Sequence, residues 1–175
     1  MDFQADHFTL LGLPRSFRLD RAWLDKRYRE IAAQVHPDKF TQAGDAERRV
    51  SLQWATRLNE AYQTLKKPLS RAQYLLALAG HELAAENNTA MPSEFLMEQM
   101  EWREAVAEAR LARAHDELEQ LHYRVKQRMN TRYEQLGELL DDRQDFEEAA
   151  DRVRRLMFLE KLLFDIDEAM AALET

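Results

Sequence analysis

The chain contains no cysteine. This excludes disulfides, thiolate nucleophiles and any cysteine-ligated zinc or iron–sulfur cluster held by its own residues. Glycine and proline are scarce, four of each among 175 residues. β-rich and α/β chains of this size need more of both to make tight reversals and positive-φ turns, so an all-α fold is expected. No apolar run approaches the roughly 20 residues of a membrane-spanning helix. The opening stretch, with Asp2 and Asp6, lacks the charged-then-apolar layout of a secretory signal. A cytoplasmic protein without a membrane partner is the expectation.

What is present is 45% hydrophobic and 33% charged, ordinary material for one or two small globular domains. The net charge of −7 conceals an asymmetry: residues 1–80 hold 13 Lys/Arg against 9 Asp/Glu, and residues 81–175 hold 12 against 23. A basic half and a strongly acidic half suggest two modules facing different partners, although solvated helical faces produce such a split too.

Glycine and proline fall at intervals and cut the chain into helical stretches. After Asp20, a candidate N-cap, Leu24, Tyr28, Ile31 and Val35 recur at steps of 4, 3 and 4, and Lys26 and Arg29 point away from that stripe. Pro37 ends the helix by pushing His36 out of the α region. Val50, Trp54, Leu58, Ala61 and Leu65 mark an antiparallel partner, and a short helix after Pro68 holds Tyr74, Leu75 and Leu78. With a small helix around Phe8–Leu11, these elements form a first domain over residues 1–79. Residues 80–91 have weak periodicity and read as a linker. Residues 92–175 read as an elongated three-helix domain, with helices from Pro92 to about Arg113, about Ala114 to Leu140 and about Gln144 to Leu173. The last carries a seam of Leu156, Leu159, Leu163, Ile166 and Met170.

His36-Pro37-Asp38 sits at the tip between the two antiparallel helices. Proline fixes φ, so an imidazole and a carboxylate are presented at a defined place. In isolation such a tripeptide is most simply a helix-terminating turn. Here the placement, the helix lengths and the outward basic face resemble the J domain of DnaJ-type co-chaperones. That resemblance implies that His36, Pro37 and Asp38 stimulate ATP hydrolysis by a 70-kDa-type chaperone, while Lys26, Arg27 and Arg29 meet an acidic surface on it. An enzyme is not expected: no cysteine exists, no serine lies within the motif, and no G-x-x-x-x-G-K-[ST] phosphate loop occurs.

The helix beginning near Phe95 has more apolar residues than one buried stripe can use. At about 100° per residue, Phe95, Trp102, Val106 and Ala109 form a core stripe. Leu96, Met97 and Met100 are left off it, beside Glu101, Glu104 and Glu108. This is a candidate interaction patch, unless neighbouring helices cover it. Phe158 falls about 120° from both the Val153/Met157 stripe and the later leucine seam, and can join the patch.

The amino-terminal J domain, the linker, the acidic bundle with Phe95-Leu96-Met97-Glu98-Gln99 and the terminal Val153–Leu162 segment together resemble the bacterial-type HscB family of iron–sulfur cluster co-chaperones. The resemblance covers essentially the whole chain. It implies that the second domain binds the scaffold protein IscU through Leu96, Met97, Met100, Glu101, Glu104, Glu108 and Phe158, and that the J domain delivers the scaffold to the chaperone HscA. Met100 stands where the family often has leucine, and Trp102 replaces a smaller apolar residue. The cysteine-bearing module of some eukaryotic relatives is absent. A J-domain co-chaperone for a different client is the alternative.

No cofactor or metal is expected. His115 and His122 stand about 10 Å apart along one helix, too far for one ion without further ligands. Asp141, Asp142 and Asp145 suit a helix junction better than a calcium loop. Nucleic-acid binding is disfavoured by the modest number of basic residues, the long inter-helix loop and the acidic second half.

Overall fold

The computed structural model describes residues 2–83 and 91–174. Part of the expected 80–91 linker, residues 84–90, lies outside the described residues. Seven α-helices and no strand occur among the described residues. The chain divides into two compact units, Met1–Leu78 and Ala79–Thr175.

In the first unit α1 (His7–Leu10) is capped by Asp6, whose carboxylate accepts from the Thr9 amide and from Arg15 Nη2 at 2.9 Å. Asp20 caps α2 (Arg21–Val35) by accepting from the Ala22 amide at 2.9 Å, as its sequence position implies. After a 3-10 turn at Pro37–Phe40 come α3 (Asp45–Lys66) and α4 (Pro68–Leu78). Arg21 reaches the Lys66 carbonyl, Asp25 meets Tyr62, and Val35 meets Ser51. Rising numbers on α2 pair with falling numbers on α3, so the hairpin is antiparallel. Its core joins Leu24, Ile31 and Val35 to Trp54, Leu58, Ala61 and Leu65.

Val50, expected in the α3 stripe, is instead 44% exposed, and Ser51 is buried beside it. The cause is the end of α2. The last carbonyls of a helix lack internal donors, and the Lys39 amide that would otherwise reach Val35 bonds the His36 carbonyl instead. The Ser51 hydroxyl donates to the Val35 carbonyl at 2.7 Å, so a polar residue takes the inward position.

Two arginines tie the connecting segments to the core. Arg71 on α4 is buried, donates to the Phe17 and Leu65 carbonyls at 2.7 Å each, and lies over the Phe17 ring. Arg27 donates from Nε to the Leu11 carbonyl at 3.0 Å. Gly12, at φ +64°, lies under the same guanidinium; a Cβ there would stand 2.7 Å from Arg27 Nη2, so the backbone conformation and the space both call for glycine.

The second unit contains α5 (Ser93–Leu111), α6 (His115–Gly137), a π-helical turn at Glu138–Asp142, and α7 (Phe146–Glu174). The Asp145 carboxylate accepts from the Glu148 amide at 3.2 Å and so starts α7, which is the helix-junction role expected of this acidic stretch. Leu118, Leu121, Val125, Met129 and Leu136 of α6 are buried, as are Val153, Leu156, Leu159, Leu162, Ile166 and Ala169 of α7. The α7 seam therefore departs from its expected course: Leu162 and Ala169 are enclosed, and Leu163 and Met170 are only half-buried. Three-residue steps turn the buried face by about 60° each, and that rotation lets α7 pack on both α5 and α6.

Replacing Arg71 by leucine removes its two hydrogen bonds to the Phe17 and Leu65 carbonyls and is expected to lower the first unit's stability by about 3 kcal/mol; urea unfolding followed by circular dichroism measures it. A second expectation concerns pH. His7 is buried and stacked on Tyr74 at 4.3 Å. Burial holds its pKa below the ordinary 6.5; Glu60 opposes that shift, Arg57 adds to it, and Asp6 opposes it. As pH falls through 6.5 the unfolded chain takes up this proton before the folded one, so stability declines until the folded pKa is passed. The decline, read as midpoint against pH, is expected to be smaller in His7→Phe.

Candidate protein-interaction sites

The first site is the tip of the α2–α3 hairpin. Pro37 holds His36 at φ −60° and ψ 130°, outside the helical region, and occupies the start of the 3-10 turn, where no donor is missed. The His36 ring folds back on this turn: its Nδ1 accepts from the Asp38 amide at 3.2 Å. The Asp38 carboxylate stands 3.5 Å from the same Nδ1 and is 85% exposed, while the imidazole is 58% exposed. The backbone of the tip is thus held by internal bonds while its two functional groups face solvent.

The three basic residues on α2 divide. Lys26 is exposed, its ammonium 3.9 Å from Glu30. Arg29 is exposed, with Nε donating to the Asp25 carbonyl at 3.3 Å. Arg27 is half-buried, bonded to the Leu11 carbonyl and to Glu30 at 2.9 Å. Lys26 and Arg29 are presented on the outer face of α2, whereas the Arg27 guanidinium is engaged in holding the loop after α1.

The second site is the outer face of α5. Phe95, Trp102, Val106 and Ala109 are buried, the four residues that sequence spacing assigns to the core. Leu96, Met97 and Met100 are 47%, 62% and 61% exposed, and Glu101, Glu104 and Glu108 are exposed beside them. The α6 and α7 helices do not cover the row. Phe158 is half-buried at its margin: its ring lies edge-on to Phe95 with centroids 6.0 Å apart, under the Arg103 guanidinium at 5.5 Å. Arg103 falls about 20° from Leu96 around the α5 axis, which places Phe158 at the Leu96 edge of the row.

Two residues here escape reading by sequence. Arg103 roofs Phe158 from the neighbouring helix, a tertiary contact with no local signature. Leu111 is 86% exposed at the end of α5. It lies eleven residues, about three turns, beyond Met100 on the same face, and that spacing was the available signal.

Charge and apolar contact are what these surfaces offer. The potential metal ligands among the described residues are His115, Asp116 and Glu119, whose ligand atoms lie within 4.8 Å of one another at the exposed start of α6. His115 also faces Glu174 at 3.9 Å, and His122 pairs with Asp167 at 3.1 Å, so both histidines engage α7. No helix among the described residues is long and apolar enough to cross a membrane.

The two units match two family models: a DnaJ domain over residues 6–74 and the HSCB C-terminal oligomerisation domain over residues 91–167. The Co-chaperone protein HscB homolog of Aromatoleum aromaticum is 54% identical, covering 100% of this chain and 99% of the relative. That of Burkholderia multivorans is 50% identical with the same coverage. Among solved structures, chaperone HscB from Vibrio cholerae aligns with a TM-score of 0.85 and 36% identity over 97% of this chain and 99% of its own. Human co-chaperone HscB aligns with a TM-score of 0.90 and 33% identity over 96% and 83%. A His-Pro-Asp tip on an antiparallel hairpin, an acidic bundle with an uncovered apolar row, and full-length likeness at half identity lead to one conclusion: the chain belongs to the HscB family of J-domain co-chaperones.

Proposed function

We propose that the chain is a non-enzymatic adaptor in iron–sulfur cluster biogenesis, working in the cytoplasm. The outer face of α5 binds the scaffold protein IscU, and the α2–α3 tip engages the 70-kDa-type chaperone HscA and stimulates its ATPase. The observation that carries this reading is the uncovered Leu96, Met97 and Met100 row on a helix whose other apolar stripe already fills the core. Flexible methionines adapt to a partner surface, and the bordering Glu101, Glu104 and Glu108 select a partner bearing cations. Phe158 supplies an aromatic anchor held against Phe95 at the edge of the row.

At the tip, function rests on geometry held before contact. His36 and Asp38 are aimed outward by a turn whose own amides and carbonyls are bonded, so docking orders few new backbone torsions. Lys26 and Arg29 speed and orient the encounter with an acidic chaperone surface, a contribution that salt screens. With client and chaperone sites on one chain, ATP hydrolysis follows delivery of the scaffold.

Two measurements test this reading. In a steady-state ATPase assay, Asp38→Asn and His36→Gln protein of unchanged helicity is expected to lose most stimulation of HscA; full stimulation by both would reject the tip. In calorimetric titration with IscU, Leu96→Ala, Met100→Ala and Phe158→Ala are each expected to weaken binding by about 1 kcal/mol or more. Wild-type affinity in the triple variant would reject the α5 face.

A further inference from the structure

An α-helix with apolar residues on two sides has no single hydrophobic reason to stop at one rotation about its axis. On α5 the buried stripe of Phe95, Trp102, Val106 and Ala109 competes with a second one, Leu96, Met100, Ala107 and Leu111, at spacings of 4, 7 and 4. A roll of about 140° would exchange the two stripes and carry Leu96 and Met100 into the groove that Phe95 and Trp102 now fill. It would cover the face on which a partner must dock.

Charged contacts oppose that roll. Glu98 lies about 60° from Phe95 on the α6 side of α5, the side opposite Leu96. Its Oε1 accepts from Arg128 Nη1 at 3.0 Å and from Arg132 Nη2 at 3.4 Å. The same roll would swing Glu98 outward, away from both. Arg132 makes that costly: its side chain is only 8% exposed, and its Nη1 is buried with no hydrogen-bond partner among the described residues. Taking Glu98 away would strip a buried guanidinium of an opposing charge. Two further cations act in the same sense, Arg155 lying 4.9 Å from the Phe95 ring and Arg124 5.0 Å from the Trp102 ring.

We propose that Glu98, clamped by Arg128 and Arg132, is a positioning residue that locks the rotation of α5 and thereby keeps the Leu96, Met97 and Met100 face available to the scaffold. The lock itself rests on no partner; its consequence for binding rests on the proposed role of that face. Glu98 contacts no client in this scheme and acts only through the population of the open rotation.

The test labels methionine methyls with carbon-13 and reads their relaxation by a soluble gadolinium chelate in the free, full-length protein. In Glu98→Gln the Met100 methyl is expected to lose about half of its solvent relaxation, with Met129 unchanged, and IscU affinity is expected to fall by the same factor of about two, because a half-populated binding-competent state halves apparent affinity. The equality of the two factors separates a rotation lock from a general loss of stability. Arg128→Ala, at a half-exposed site, provides the same readout if Glu98→Gln does not fold. Unchanged Met100 relaxation in the folded variant overturns the lock. If wild-type protein fails to bind IscU while Met100 relaxation still falls, the lock stands and the scaffold role does not.

Discussion

A helix that is apolar on two sides can bury only one of them, and in the second unit the choice falls on α5. α6 and α7 settle the larger part of the core between themselves, with Leu118, Leu121, Val125 and Leu136 packed in the same interior as Leu156, Leu159 and Ile166. They leave a groove that takes two aromatic rings, Phe95 and Trp102, and the guanidinium groups of Arg155 and Arg124 sit over those rings. Leu96, Met97 and Met100 then face water as a result of that fit. Binding surface and core are two consequences of one rotation.

The first unit applies the same economy to a loop. Pro37 stops α2, and the stop frees carbonyls that the rest of the unit must satisfy. Ser51 takes Val35, and the Lys39 amide takes His36. With those bonds made, the His36 ring and Asp38 carboxylate need no partner from the core and stay outward. Arg27 and Arg71 hold the segments before and after the hairpin through backbone carbonyls, so specific charges stabilise positions that a short chain cannot secure by apolar burial alone.

Reading along the chain finds what is local. The Asp20 and Asp145 caps, the break at Pro37 and the four-residue core stripe of α5 follow from spacing and capping rules, and the structure has them where those rules put them. Val50 against Ser51, and Leu163 with Met170 against Leu162 with Ala169, do not follow. In each pair both residues suit a helix, and only the neighbouring helix decides which one turns inward. Arg27 is a related case: on a helical wheel it stands about 60° from Leu24, beside the apolar stripe, and only the Leu11 carbonyl shows where its guanidinium is engaged.

The sequence by itself determined the helical class, through scarce glycine and proline and the 3.6-residue apolar period. It also determined the two-part organisation, through the change of charge and pattern, and the chemical identity of the tip and of the acidic apolar row. The tertiary structure alone decided that Phe158 stands at the edge of the α5 row under Arg103, and that Glu98 is gripped by Arg128 and Arg132. The physical reason is range. Propensity, capping and periodicity act within about one or two turns, whereas these contacts join side chains 30 or more residues apart in sequence, of which no local pattern carries a trace.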